Sequence, residues 1–281
     1  NTSSSITSLM KDQCLQELRH LTKHDHVALT NRGNASVLLS LILSGKDTVL
    51  IPSEGGWMTY EPIALSLNKK VIRIKTTNAV IDLTDLKKHA NKNAVLLYHS
   101  VGGYFAPQDI KQIYDICKSK DTFIIMDACG SLGTEYCNGN YADIIFSSFG
   151  KWKPVDLQTG GFISFDTKEL KQRAKSLLTA TKFEGDTNHL FKKLKLIKDR
   201  LDMLKGIRDQ VIADMHEQGY TIIGSEHPFG LVVPVKFKGE IERLKIATYC
   251  TKHNLEYTIC PREIRTMQEA MCIEVKRVSS E

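Results

Sequence analysis

The sequence predicts an α/β fold: a large domain with a seven-stranded, mostly parallel sheet between helices, and a small α+β domain at the C-terminal end. Three observations lead there. Seven short apolar runs, β-rich and bounded by polar residues or Gly, lie within residues 1–166. Helical patterns separate the first five of them. Beyond residue 166 the chain turns almost continuously helical over 167–219, then gives a few strands around a single helix.

The runs are Val27–Thr30, Thr48–Pro52, Val71–Ile74, Ala94–His99, Thr122–Met126, Ile144–Phe149 and Phe162–Phe165. Each is short and apolar throughout, as strands buried on both faces are. The intervening helices fall at about 34–44, 57–68, 82–91 and 107–119. In the last, Pro107 stands near the start, and Ile110, Ile113 and Tyr114 recur at helical spacing. Strand and helix in alternation imply a parallel sheet covered on both faces. In the second half, Gly230–Phe237, Glu256–Ile259 and Ile273–Val278 read as strands and 239–253 as a helix. This predicts a large domain at 1–166, N-terminal helix included, and a helical connection with the small α+β domain at 167–281.

With 281 residues, 42% apolar and 25% charged, the chain can bury a large core without metal or disulfide staples. Its net charge of +6 comes mainly from lysines over 168–205; Lys192, Lys193, Lys195 and Lys198 read as a solvated helix face rather than a nucleic-acid surface. A positive field also suits anionic substrates. The seven cysteines (Cys14, Cys117, Cys129, Cys137, Cys250, Cys260 and Cys272) are odd in number and include no C-x-x-C pair. They predict reduced thiols in a cytoplasmic protein, with no zinc site or disulfide framework. No apolar run approaches the ~18 residues of a membrane helix. The polar Asn1-Thr2-Ser3-Ser4-Ser5 does not read as a signal peptide.

Open parallel sheets bind ligands beyond the carboxyl ends of their strands, so the residues after each run carry the functional reading. Val27–Thr30 leads into Asn31-Arg32-Gly33-Asn34-Ala35-Ser36 and a helix. Gly33 permits a tight turn, and the free N–H groups of that helix start form an anion site or an ordinary cap. Trp57, five residues after Pro52, either stacks on a planar ligand or packs the helix after it. Asp127 follows Met126 and turns its carboxylate to the ligand crevice or caps a helix. Ile144–Phe149 runs into Gly150-Lys151-Trp152-Lys153-Pro154. A lysine in a partly desolvated crevice has the lowered pKa that Schiff-base chemistry needs. An anion site, an aromatic face, a carboxylate and a lysine are together what a pyridoxal 5'-phosphate site requires.

Four segments also carry a family likeness: Thr30-Asn31-Arg32-Gly33-Asn34-Ala35, Val49-Leu50-Ile51-Pro52-Ser53, Asp127-Ala128-Cys129 with Gly133, and Ser148-Phe149-Gly150-Lys151-Trp152-Lys153-Pro154. In that order they resemble the T-N-S-G-T-A phosphate loop, the V-I-V-P-S strand, D-A-A-x-x-x-G and S-F-G-x-x-K-P of the DegT/StrS sugar aminotransferases. That family lies in the fold-type I pyridoxal-phosphate (aspartate aminotransferase) superfamily, and the likeness runs over about residues 15–166. It implies that Lys153 forms the Schiff base and Asp127 binds the pyridine nitrogen. Ser148 and the backbone of Gly33 and Asn34 would hold the phosphate, and Trp57 would stack on the ring. Lys151 competes, because Ser148-Phe149-Gly150-Lys151 also resembles the S-x-x-K of other aminotransferases; the distance to Gly160-Gly161 and the Lys-Pro pair favour Lys153. The resemblance further implies a homodimer that moves an amino group from an amino donor to a keto or aldehyde acceptor.

The chain departs from the family's pattern in places. Gly130 stands where the family has a Gln near the cofactor's phenolic oxygen, leaving His99 or Ser131 as substitutes. The Y-N-x-R-M segment, which sends an Asn to the partner's phosphate, is missing, and Asn188 lies near its place. Arg262 and Arg265 offer bidentate forks for a substrate carboxylate, with His99 a further candidate, or belong to a solvated loop. Such a site also supports a pyridoxal-phosphate lyase or a cysteine desulfurase, although Cys129 reads as a packed thiol. The short C-terminal domain also fits a binding or regulatory protein without turnover.

Overall fold

A computed structural model describes residues 2–279, with side chains from residue 9 onward. Residue 1 and residues 280–281, at the outer ends of the two expected domains, lie outside the described residues. The chain opens with α1 (Thr2–Thr22), β1 (His26–Thr30), α2 (Gly33–Ser44), β2 (Thr48–Pro52), α3 (Tyr60–Ser66) and β3 (Lys70–Ile74). A ribbon of β4 (Thr76–Thr77) and β5 (Val80–Ile81) precedes α4 (Leu83–His89) and β6 (Ala94–His99). A second ribbon, β7 (Val101–Gly102) and β8 (Ala106–Pro107), precedes α5 (Ile110–Lys118), β9 (Phe123–Asp127), β10 (Ile144–Ser148) and β11 (Gly161–Phe165). Then follow α6 (Lys168–Ala180), α7 (Thr187–Lys195), α8 (Ile197–Glu217), β12 (Val233–Lys236), α9 (Gly239–Lys252), β13 (Tyr257–Cys260) and β14 (Ala270–Ile273).

All seven expected strands join one sheet in the order β1-β11-β10-β9-β6-β2-β3. Its pairs are parallel except where β11 meets β10 and β1. The carboxyl ends of β1, β2, β6, β9 and β10 therefore meet along one edge, where β11 begins. Side chains alternate across the sheet with a period of two. Val49, Val95, Leu97, Ile125, Phe146 and Ile163 pack with α2, α3 and α6 on one face. Leu50, Leu96, Tyr98, Ile124, Met126 and Ile145 pack on the other, in a core that continues into Val233, Val235, Met271 and Ile273. The second sheet has the order β12-β14-β13 and is antiparallel throughout.

Several boundaries differ from the sequence-based expectation. The stretch 167–219 breaks into three helices, because Asp186 caps a new start by accepting from the N–H groups of Asn188 and His189. The helix expected at about 107–119, α5, begins at Ile110 rather than near Pro107, because Asp109 caps it through the Gln112 N–H. The third strand of the small sheet is Ala270–Ile273, not Ile273–Val278; Val275–Arg277 forms a 3₁₀ turn. The charged Glu274, Lys276 and Arg277 leave the ladder and face one another instead. The helix expected from 57 starts at Tyr60, so Trp57 stands in the turn before it, with its carbonyl accepting from the Tyr60 N–H.

Candidate active site

A cavity of about 640 Å³ opens at the carboxyl edge of the large sheet. Gly33, Trp57, Asp127, Ser148 and Lys153 line it. At one end stands the start of α2. No side chain caps this helix, so its first N–H groups, at the cavity edge beside Gly33 and Asn34, are left for another acceptor. Gly33 must lack a side chain there: a Cβ would lie 2.7 Å from Cβ of Ser148. The Ser148 hydroxyl accepts from the Gly150 N–H at 3.0 Å, which leaves its own proton for a ligand. The Asn34 side chain faces away from this role. Its Oδ1 accepts from Trp57 Nε1 and the Thr59 hydroxyl, both at 3.1 Å, which fixes the indole at the cavity wall.

Asp127 ends β9 beside Phe146 on one side and His99 on the other. It is 3% exposed. One carboxylate oxygen accepts from the Cys129 N–H at 2.8 Å and the other from the Tyr60 hydroxyl at 2.6 Å. Each oxygen keeps a lone pair for a further donor. His99 Nδ1 bonds to the Val101 carbonyl, so it carries the ring proton; Nε2 is buried without a partner and lines the cavity as an acceptor. Burial lowers the His99 pKa, which keeps the ring neutral.

The two lysines differ sharply. Lys153 is half-buried, and its Nζ donates to the Tyr104 hydroxyl, 5.4 Å from the centre of the Trp57 ring. Lys151 is exposed and lies 4.6 Å over the Trp152 ring. The expected lowering of the Lys153 pKa is reversed. Burial does disfavour its charge, but Tyr104, Cys129 and Asp127 outweigh burial and hold the ammonium above the usual lysine range. The Tyr104 phenol and the Cys129 thiol are themselves pushed up to about 12 by burial.

The opposite wall comes from the C-terminal segment. Glu274 is fully buried and meets Arg265 in a fork, with three contacts of 2.9–3.1 Å. Lys276 lies 3.4 Å from the same carboxylate and Arg277 3.7 Å. Three basic groups thus meet at Glu274, and Arg277 has a second carboxylate in Glu256 at 2.7 Å, which leaves one positive charge in surplus. The surplus faces the cavity: Lys276 Nζ is 5.0 Å and the Arg265 guanidinium 5.1 Å from the Tyr104 ring, and Arg277 stacks on Trp152 at 4.0 Å. Burial, first, and the neighbouring cations depress the Lys276 pKa to about 7 against the pull of Glu274.

The structure brings Gly33, Asn34, Trp57, His99, Asp127, Ser148 and Lys153 to one cavity, with Arg262 and Arg265 on its far wall. Arg265, however, already spends its fork on Glu274. Ser131 bonds to Ser100 at 2.6 Å and Asn188 sits at the exposed start of α7; neither lines the cavity. Sequence reasoning missed Tyr60, Tyr104 and Lys276. The pair Gly102-Gly103 ahead of Tyr104, just past a strand end, is the one local signal among them.

The profile of the DegT/DnrJ/EryC1/StrS aminotransferase family matches residues 11–203. A cysteine desulfurase, IscS, of Buchnera aphidicola is 45% identical over 58 residues, covering 20% of this chain and 14% of that protein. GDP-4-keto-6-deoxy-D-mannose 3-dehydratase of Yersinia pseudotuberculosis is 31% identical over 132 residues, covering 44% of this chain and 32% of that protein. The matched stretch thus spans about a third or less of the curated relatives' length. In fold, the chain is similar to a sugar aminotransferase, Spr1654, of Streptococcus pneumoniae in its PLP form. The TM-score is 0.70 at 12% identity, over 96% of this chain and 87% of that one. A profile match across more than half of the chain, on a sheet whose carboxyl edge gathers the lysine, the aspartate and the uncapped helix, makes this protein a member of the DegT/DnrJ/EryC1/StrS aminotransferase family.

Proposed function

We propose that the chain is an aminotransferase using pyridoxal 5'-phosphate, with Lys153 as the residue that binds the cofactor covalently. The observation that carries this is the pairing of a half-buried Lys153 with a buried Asp127 in one cavity at the strand ends. The residues fit the group. The Gly33 approach to Ser148 leaves a cradle that a Cβ would fill. His99 Nε2 is a buried polar atom without a hydrogen-bond partner among the described residues, and the buried Asp127 carboxylate keeps lone pairs for a further donor.

When bound, the cofactor's pyridine ring takes up the electron pair left at the substrate's Cα. Asp127 pairs with the protonated ring nitrogen, since an opposite charge favours that form. That pairing offsets one of the influences that hold Lys153 protonated, while burial works toward its free amine. The first N–H groups of α2 and the Ser148 hydroxyl would hold the phosphate, and Trp57 would cover a ring face. Lys153 Nζ, at the cavity wall beside Tyr104, would serve as the base that takes the proton from the substrate's Cα and as the acid that returns it. The surplus charge of Lys276, Arg277 and Arg262 selects an anionic amino donor or keto or aldehyde acceptor. The seven buried, unpaired thiols suit a reducing, cytoplasmic setting. Among the described residues no helix is long and apolar enough to cross a membrane. Exposed Leu38 and Ile42 on α2, with Met58 and Leu65 around α3, give an apolar face that a second copy would cover in a homodimer.

The test is the visible spectrum of the protein with pyridoxal phosphate, with borohydride reduction, on wild type, Lys153→Ala and Lys151→Ala. The reducible band should vanish only in Lys153→Ala. Loss only in Lys151→Ala reassigns the lysine, and no uptake by wild type overturns the reading. With glutamate or another amino donor the bound cofactor should become pyridoxamine phosphate; release of pyruvate or sulfide would mark a lyase or desulfurase.

A further inference from the structure

Tyr104 occupies an unusual place. It follows Gly102 and Gly103 in the turn between β7 and β8, with φ of +67°. For a bulky residue this left-handed backbone is costly and persists only where its surroundings enforce it. Two backbone bonds do so: the Tyr104 N–H donates to the Val101 carbonyl at 2.9 Å, and the Leu231 N–H donates to the Tyr104 carbonyl at 2.6 Å. The ring is 5% exposed and lies 4.6 Å from the His99 ring. It fills space left at Gly130, where a Cβ would stand 2.7 Å from Tyr104 Cδ1 and 2.9 Å from His99 Cε1. A strained turn and a missing side chain thus both serve to bring one phenol to one spot.

That spot is the amine of Lys153, which donates to the Tyr104 oxygen. A phenol has one proton to give besides the lone pairs that accept. Among the described residues no protein group accepts that proton. Three cationic groups, Lys153, Lys276 and Arg265, lie within 5.0–5.1 Å of the ring centre, so the hydroxyl sits where a negative oxygen would be drawn in. In pyridoxal phosphate the carbon that bonds to a lysine amine is adjacent, on the ring, to the carbon bearing the phenolic oxygen. A group touching the lysine nitrogen is therefore next to that oxygen.

We infer that Tyr104 is a positioning residue which holds the Lys153 amine and donates its own proton to the cofactor's phenolic oxygen. This rests on the cofactor reading above. It assigns a role to the Gly130–Tyr104 pair that neither residue shows alone. A donor at the phenolic oxygen withdraws charge from it and weakens its hold on the proton shared with the lysine nitrogen. Removing the donor must make that nitrogen more basic.

The experiment is a pH titration of the visible band of the cofactor-loaded protein. Wild-type uptake of pyridoxal phosphate, checked first, tests the cofactor reading separately; without it both readings fall. Given uptake, Tyr104→Phe, which keeps the ring and its packing, should move the titration midpoint upward by about one pH unit, the scale of one hydrogen bond to a charged oxygen. Gly130→Ala, which presses a methyl group on the ring, should move it in the same direction by less. The double variant should match Tyr104→Phe alone, because both act through one hydroxyl. An unmoved midpoint in a Tyr104→Phe protein that still loads cofactor overturns the inference and leaves the cofactor reading intact. So does additivity of the two shifts.

Discussion

The two walls of the cavity are built by different physics. On the sheet wall, Asp127 and Ser148 end neighbouring strands, and Gly33 starts the helix after a third. Their separation is set by the hydrogen-bond ladder, with Phe146 registered opposite Asp127 and Ser148 opposite Gly161. On the other wall, Arg265, Lys276 and Arg277 are placed by a shared carboxylate, Glu274, outside any ladder. A ladder fixes positions rigidly. A cluster of ions depends on charge balance and shifts when one member changes. The rigid wall suits a constant cofactor, and the adjustable wall suits the part of the substrate that distinguishes one reaction from another.

The largest expected effect lies on the rigid wall. Lys153→Ala should lower amino transfer by at least the roughly 10²–10⁴-fold worth of a general acid–base group. Lys151→Ala, on an exposed side chain, should leave it within a few-fold. Steady-state turnover of the two variants decides this. Equal losses would mean that the half-buried position of Lys153 does not single it out.

Next comes the buried ion cluster. Glu274→Gln leaves the buried Arg265 and Lys276 without their carboxylate, while Arg277 keeps Glu256 at 2.7 Å; breaking such a buried pair costs about 3–5 kcal/mol. Burial raises the Glu274 pKa, but Arg265, Lys276, Arg277 and the Thr258 hydroxyl together outweigh it, so the folded value lies below the ordinary one. A depressed carboxylate contributes stability above its unfolded pKa and loses it as pH falls through the folded value. Thermal melts should therefore show the deficit of Glu274→Gln at neutral pH shrinking toward acid. A deficit constant with pH would show that shape rather than charge holds this wall.

This contrast also explains what could be read before the structure. Short runs apolar throughout, ended by Asp127 or leading into Lys153, place residues at a strand end, and a strand end in a parallel sheet is a position in space. All seven strands, and the gathering of Gly33, Trp57, Asp127 and Lys153, were legible for that reason. The pattern 270–277 offered no such handle. Ile273 to Val278 alternates enough to look like a strand, yet Glu274 is drawn out of the ladder by an arginine nine residues earlier. Lys276 falls inside that expected strand with nothing local to mark it; only tertiary folding buries it to 5% exposure. Tyr104 was hidden for a related reason, since its partner Gly130 contributes by what it lacks.

Lys276 carries a smaller effect that is specific to pH. Its pKa near 7 means that it loses its charge as pH rises through neutrality. Affinity for an anionic amino donor should fall over that range. Lys276→Met should raise KM for such a donor by roughly tenfold, about the worth of one charge-assisted hydrogen bond, and flatten the pH dependence. Lys276→Arg should keep the affinity and lose the dependence, because arginine stays charged. A KM for glutamate that rises equally in both variants would point to packing.

The smallest effect probes whether the rigid wall owes its precision to the ladder alone. Tyr60 lies on α3, outside the sheet, and gives its proton to one Asp127 oxygen at 2.6 Å. The Cys129 N–H holds the other oxygen at 2.8 Å. Tyr60→Phe keeps the buried ring and removes one donor. A hydrogen bond to a charged group is worth about 1.5–3 kcal/mol. The carboxylate keeps its second donor and the partner it gains from the cofactor, so the lower end applies, close to a tenfold weaker cofactor affinity. If Asp127 meets the ring nitrogen and Tyr104 the phenolic oxygen, as proposed above, the pH midpoint of the visible band should move less than in Tyr104→Phe. Affinity measured by fluorescence titration would register the loss. If cofactor affinity is unchanged, strand register alone positions Asp127, and the division between a wall set by hydrogen-bond ladders and a wall set by side-chain partners becomes complete.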